Sequence, residues 1–361
     1  MNSINNRITL NMEMRVLVAV LLACSVAGLP VEKEGLPRDI LTPLDIELFK
    51  DQVLYVYDDN ENLVKLTLDE VDVQEDKCKE MANCVSFYLY KKGEPNPKQL
   101  YVNDENALKN SNFDPMKPTR FITHGWINSR ESKSCTLVRD AYLAHGDYNV
   151  IVIDWSPISK HLYGYASKQV VNVGQFVATM IDFLVKHKMD PLETGLIGHS
   201  LGAHVVGIAA RFSNSLIGLV IGLDPAWPGF SAAGPGSRIS SGDAMYVEII
   251  HTNGGVLGFL HAIGDADFYP NGGEKQLGCR VDACSHARSF RFYAESITSQ
   301  VGFHGKSCST FLRFKMGLCD DGHSSIMGGH KPLKSARGNY YLHTNPSPPF
   351  ASGPHWFAMR R

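Results

Sequence analysis

The sequence predicts an α/β fold: a doubly wound, mostly parallel sheet with helices on both faces. Three observations carry that prediction. Short β-branched runs alternate with stretches of helical period from residue 85 onward. The run Val150-Ile151-Val152-Ile153 is continuously apolar rather than alternating, as a strand covered on both faces must be. Finally, Thr194-Gly195-Leu196-Ile197-Gly198-His199-Ser200-Leu201-Gly202 reads as an apolar strand, a sharp turn with Ser200 at its tip, and a helix beginning near Leu201. Gly198 and Gly202 flank a turn too tight for side chains to sit opposite each other.

Taken in order, the chain opens with Arg15, the apolar run 16–23 and the small residues Ser25, Ala27 and Gly28, the pattern of a secretory signal peptide over residues 1–28. Met12 and Met14 are alternative starts. A membrane anchor is the rival, but a span needs about 20 apolar residues, and Pro30 closes this run early. No later segment is long enough to span a membrane, so a secreted, extracellular protein is expected. Residues 29–77 are acid-rich, with 53–57 and 63–68 alternating on either side of Asp58-Asp59-Asn60-Glu61-Asn62, a hairpin around a polar turn. This stretch is expected to be an N-terminal extension or pro-segment that carries no catalysis.

The catalytic domain is expected over residues 78–350. Strands are predicted at 85–89, 120–123, 148–155 and 219–223, and helices at 134–143 and 172–186, the second from the period of Val173, Phe176, Val177, Met180, Ile181 and Leu184. Pro346-Ser347-Pro348-Pro349 marks the expected edge of the folded unit, leaving 351–361 as a tail. A net charge of −2 with scattered lysines and arginines gives no basic surface for nucleic acid. No Asn-x-Ser/Thr sequon is free of proline, so N-glycosylation is not expected.

Of the eight cysteines, Cys24 falls in the leader. In an oxidising compartment the close pairs Cys78/Cys84, Cys279/Cys284 and Cys308/Cys319 are natural bridges. Cys135 is left over, either buried and free or a sign that the pairing is wrong.

A serine at its free pKa is a weak nucleophile and needs a histidine base oriented by a carboxylate. Asp224 lies just past the strand 219–223, on the rim that the Ser200 turn faces, and the order Ser, Asp, His is that of α/β hydrolases. His251, His261, His286, His304, His323, His330, His343 and His355 all follow. The flanking His199 and His204 are poorly placed for the hydroxyl. His286 is the best-placed choice, in a loop that a Cys279–Cys284 staple would hold, although position alone does not exclude the others. Acyl transfer also needs two donors for the developing oxyanion. The N–H of Leu201 is one, and the loop closing Phe121-Ile122-Thr123-His124-Gly125-Trp126 supplies the other.

These residues resemble the pancreatic lipase family. The matches are collinear: Phe121 to Trp126, Val152-Ile153-Asp154-Trp155, Ile197 to His204, Gly222-Leu223-Asp224-Pro225-Ala226, Ile249-Ile250-His251-Thr252-Asn253, Asp267 to Gly273, Cys284-Ser285-His286 and Ala336-Arg337-Gly338. The resemblance implies an α/β-hydrolase fold, Ser200 as nucleophile, Asp224 as acid, His286 as base, and the N–H groups of Trp126 and Leu201 as oxyanion hole. It also supports the three cysteine pairs. An intact triad speaks against a non-catalytic, yolk-type lipid-binding relative.

Three departures refine the expectation. The 75 residues after His286 leave no room for the family's C-terminal β-sandwich. The family's lid lies between the two cysteines before the base, and here Cys279 and Cys284 enclose only Arg280, Val281, Asp282 and Ala283. The family's calcium loop supplies two carboxylates, and here Asp243 stands with Ser240 in the other place, so no metal and no cofactor are expected. The short lid resembles secreted and venom phospholipases A1 of insects, whose sites stay open to polar headgroups. The expected substrate is therefore a phospholipid or other glycerolipid at a membrane or micelle surface. A neutral triacylglycerol lipase or galactolipase is the nearest alternative.

Overall fold

In the computed structural model, which describes residues 49, 52–68, 78–319 and 323–354, all within the unit Arg38–Arg361, the chain first forms a β-hairpin. Its strands β1 (Leu54–Tyr57) and β2 (Leu63–Leu66) pair antiparallel across the acidic turn. Asp58 holds that turn, its Oδ1 accepting from the N–H groups of Asn60 and Asn62 at 2.9 and 2.8 Å. The expected signal peptide, Cys24, His355 and residues 355–361 lie outside the described residues.

The main sheet begins with β3 (Ser86–Tyr90) and β4 (Lys98–Leu100) and continues through β5 (Thr119–Thr123), β6 (Asn149–Asp154), β7 (Gly195–His199) and β8 (Leu219–Leu223). It ends with β9 (Val247–Ile250), β10 (Ala266–Pro270), β11 (His304–Ser307), β12 (Ser324–Ile326) and β13 (Gly338–Leu342). Among the described residues the spatial order is β12-β11-β13-β10-β9-β8-β7-β5-β6-β3-β4. From β13 to β6 every neighbouring pair is parallel, and the two outer strands at each edge run antiparallel.

Four long helices connect the strands: α1 (Lys133–His145), α2 (Tyr163–Lys186), α3 (Leu201–Phe212) and α4 (Asp282–Thr298). Successive side chains of a strand point to opposite faces, and here both faces are buried. Phe121, Ile151, Ile153 and Leu196 pack with Val177 and Ile181 of α2 and Val205 and Ile208 of α3. Ile122, Val150, Val152 and Ile197 pack on the other face with Val138 and Tyr142 of α1 and Phe290 and Tyr293 of α4. That two-sided burial is why β6 carries no polar alternation.

Helix α2 starts at Tyr163 rather than near residue 172, because Ala166 and Val170 extend its buried stripe one face further back. The Pro346–Pro349 tract is not the edge of the packed structure. Phe350 and Ala351 are buried beyond it, and their N–H groups donate to the Glu295 carboxylate at 2.8 and 2.7 Å.

Candidate active site

The strand order reverses at β5: β6 lies on one side of it and β7 on the other. Crevices form at such switch points, beyond the carboxyl ends of the strands. Two of the predicted segments end there, the loop His124-Gly125-Trp126 after β5 and the Ser200 turn after β7.

Ser200 sits at φ 57° and ψ −123°, a strained conformation for a residue with a side chain. The glycines around it answer to close backbone approach. A Cβ on Gly198 would meet the Gly202 carbonyl oxygen at 2.1 Å. One on Gly202 would meet the His124 carbonyl oxygen at 2.3 Å, so the second glycine makes room for the β5 loop. The turn thereby presents Ser200 at the N-terminus of α3, whose free N–H groups favour negative charge.

Asp224 follows β8 and is fully buried. Its Oδ2 accepts from Nδ1 of His286 at 2.6 Å, and its Oδ1 accepts from the N–H groups of Thr252 and Asn253 at 2.7 and 3.0 Å. His286 stands in the first turns of α4, not in a loop; the Cys279–Cys284 disulfide closes the chain just before and into that helix. The imidazole is braced by the ring of His199, 4.5 Å between centroids, and His199 in turn packs edge-on against Phe290. Burial first, then the neighbouring His286, pushes the His199 pKa well down, so His199 is a neutral wall. Ser200 and His286 line one cavity with Gly125 and Trp126, and Ser200 Oγ has no hydrogen-bond partner among the described residues. Catalytic hydrogen bonds of this kind commonly tighten only when substrate is bound.

The loop after β5 is fixed by buried polar contacts. The His124 ring stacks on the Trp155 indole, whose Nε1 donates to the His124 carbonyl at 3.1 Å. His124 Nδ1 meets the Gly125 carbonyl oxygen at 3.0 Å. In a trans peptide the carbonyl and the next N–H point in opposite directions, so this contact turns the Trp126 N–H away from His124. Neither the Trp126 nor the Leu201 N–H takes part in a backbone hydrogen bond outside the regular elements among the described residues.

The other histidines separate on geometry. His204 is buried, with Nε2 2.7 Å from the Ala226 carbonyl and Nδ1 accepting from the Ile239 N–H; burial takes its pKa down to about 3. His251 forms a second buried pair with a carboxylate, Nε2 to Asp267 Oδ1 at 2.8 Å, while its Nδ1 meets the Phe259 carbonyl at 2.7 Å. Both of its nitrogens face acceptors, which leaves none for a hydroxyl.

Disulfides join Cys78–Cys84, Cys279–Cys284 and Cys308–Cys319, and Cys135 is buried and free. Asp243 pairs with Arg211 at 2.6 Å and accepts from the Ser240 N–H at 2.7 Å. Among the described residues no group of three or more His, Cys, Asp or Glu side chains is placed to hold a metal ion. No described helix is long and apolar enough to cross a membrane.

One part of the cavity wall lies outside the sequence reading. Val56, Tyr57, Asp58, Glu61 and Leu66 of the N-terminal hairpin line it. The available signal was the alternation of Leu54, Val56 and Leu66, which gives the hairpin an apolar face in need of a partner.

The fold is that of the α/β hydrolases. The chain belongs to the lipase family that includes the pancreatic lipases: the family profile described as Lipase matches residues 50–350. It is 34% identical over 299 residues to pancreatic triacylglycerol lipase of Myocastor coypus, covering 73% of this chain and 65% of that protein. To pancreatic triacylglycerol lipase of Homo sapiens it is 33% identical over 299 residues, covering 73% and 64%. The chain thus spans just under two thirds of the length of these relatives. Among solved structures, a hyperthermophilic esterase from the archaeon Pyrobaculum calidifontis aligns at TM-score 0.30 and 15% identity over 46% of this chain and 64% of that one.

Proposed function

We propose that this chain is a secreted carboxylic-ester hydrolase of glycerolipids, and that it releases the sn-1 acyl chain of a phospholipid. The observation that carries the hydrolase reading is the 2.6 Å contact between His286 Nδ1 and Asp224 Oδ2, with Ser200 in the same cavity as the ring. His286 takes the Ser200 proton on Nε2 as Oγ attacks the ester carbonyl, and Asp224 stabilises the imidazolium. The N–H groups of Trp126 and Leu201 receive the oxyanion. His286 protonates the leaving alcohol, then activates water to release the fatty acid from the acyl-enzyme.

Secretion is supported by three disulfides, which persist in oxidising compartments. The phospholipid preference rests on the brevity of the segment between Cys279 and Cys284, where α4 already starts at Asp282. A second reading, a triacylglycerol lipase, is favoured by the relatives, which are named for that substrate. Fatty-acid release from phosphatidylcholine and from triolein, each with wild type and Ser200→Ala, tests both. Release that persists in Ser200→Ala overturns the hydrolase reading, and release from triolein alone replaces the phospholipid preference.

A further inference from the structure

We propose that the hairpin of β1 and β2 is an autoinhibitory strap: it closes the cavity above Ser200 and must swing away before an ester can enter. The inference rests on the hydrolase reading above and adds a device that regulates the same site.

Three observations carry it. First, the hairpin covers the cavity with its apolar face. Leu54, Val56 and Leu66 are buried, Val56 and Leu66 against the cavity itself, while Val53, Tyr55 and Leu63 face solvent.

Second, the hairpin is fastened to both walls of the cleft. On the oxyanion side, Asp59 accepts from the Ser129 N–H at 2.7 Å, from Ser129 Oγ at 2.9 Å and from Lys160 Nζ at 2.8 Å. Asn128 Nδ2 donates to the Tyr57 carbonyl at 2.8 Å on that same side. On the base side, Glu61 pairs with Arg291 of α4, the helix that carries His286. The Lys160 and Arg291 links are polar and exposed, where water can replace them, whereas the Ser129 and Asn128 hydrogen bonds are part-buried. The exposed ion pairs have the chemistry of a latch, set beside an apolar face of Leu54, Val56 and Leu66 that packs into the core.

Third, as the hairpin stands, the cavity leaves too little room for the substrate. Its volume is about 40 Å³, room for roughly three waters, whereas pockets that hold drug-sized ligands run to about 300–1,000 Å³. Gly125, Trp126, Tyr163, Leu257 and Phe290 line it from the body of the protein, and the hairpin lies over them. The segment between Cys279 and Cys284 is short, but a different part of the chain provides the cover.

If turnover requires the strap to open, the rate of any reaction at Ser200 scales with the open fraction. The test measures inactivation of the full chain by a p-nitrophenyl alkylphosphonate, which forms a bond from Ser200 Oγ to phosphorus and expels p-nitrophenolate. Asp59→Ala/Glu61→Ala removes both latches from the hairpin. Lys160→Ala/Ser129→Ala/Arg291→Ala removes their side-chain partners from the body and leaves the hairpin sequence intact, guarding against a hairpin that fails to form. Both variants are expected to be inactivated about tenfold or more faster than wild type, as a larger open fraction demands. Equal rates overturn the strap, because the hairpin then does not limit access. Slower inactivation in both variants also overturns it and makes the hairpin a wall that substrate needs. If neither wild type nor variants react, the serine-hydrolase reading falls and takes the strap with it. That outcome is distinct from equal, measurable rates.

Discussion

Asp224 divides its carboxylate between two tasks. Oδ1 is held by the backbone N–H groups of Thr252 and Asn253, and Oδ2 is left for Nδ1 of His286 at 2.6 Å. The two N–H donors fix the rotation of the carboxylate, and the carboxylate fixes the ring. A neutral imidazole that donates from Nδ1 keeps Nε2 as an acceptor, the form a general base requires.

Asp224→Asn should therefore preserve the fold and lose the chemistry. The two backbone donors still select an oxygen, so the asparagine NH₂ is driven toward Nδ1 of His286. The ring must then accept at Nδ1 and carry its proton on Nε2, facing Ser200. The expected result is a fall in kcat of about 10⁴-fold, with the thermal unfolding midpoint close to wild type. Turnover of a soluble ester alongside a melting curve checks both; a loss of less than about tenfold would mean that Asp224 does not orient the base.

Gly125 is constrained by Ser200 itself. A Cβ there would lie 2.8 Å from Ser200 Cβ, 3.3 Å from Oγ and 3.1 Å from the His199 carbonyl oxygen. Gly125→Ala must push the β5 loop away from Ser200 by several tenths of an ångström. Misplacement near 1 Å costs about 10² in rate, whereas overpacking costs about 1–3 kcal/mol of stability. The substitution is expected to lower kcat by about 10²-fold, with a modest drop in stability, measured by steady-state kinetics and denaturant unfolding.

Where side-chain period and turn chemistry act locally, the sequence was readable. The buried run of β6, the glycine-bracketed serine and the hairpin around Asp58 all stand where their residues place them. Strands β10 and β11 did not read as strands for physical reasons. Ala266–Pro270 contains Asp267, whose burial is met by His251 and by the N–H groups of Ile263 and Gly264, and ends in a proline. His304–Ser307 is largely polar, as an element near a sheet edge can be. His286 stood out among the later histidines by its place beside the Cys279–Cys284 pair, and the resemblance supported it, but its pairing with Asp224 exists only in three dimensions. The docking of the hairpin was invisible for the same reason: its anchors Ser129 and Arg291 lie 70 and 230 positions along the chain from Asp59 and Glu61.

Cys135 is fully buried on α1, and burial pushes its thiol up to about 12. The thiolate is the reactive form, so the native protein at pH 8 should leave Cys135 unmodified by iodoacetamide. After denaturation without reductant the residue should alkylate fully. Peptide mapping by mass spectrometry reads both states, and modification of Cys135 in the native protein would contradict its burial.

Glu248 is the acid on which pH should act most visibly. It is buried on β9, with Oε1 accepting from the Gly328 N–H at 2.7 Å and Oε2 from the Tyr246 hydroxyl at 3.1 Å. Burial outweighs these two donors and pushes its carboxyl up to about 7. Between the ordinary glutamate value of about 4.5 and 7, the folded protein holds a proton that the unfolded chain has released. Folding then binds protons, so this contribution is complete below about pH 4.5 and is lost as pH rises through 7. The loss is roughly 3 kcal/mol for a shift of that size. Glu248→Gln keeps an acceptor for Gly328 and cannot ionise. Wild type should lose about 3 kcal/mol more than Glu248→Gln between pH 4.5 and pH 8 in urea unfolding. Asp243, which burial raises to about 6 in the same direction, is common to both proteins and cancels in the comparison. Equal pH dependence in the two would mean that Glu248 is ionised inside the folded protein across this range.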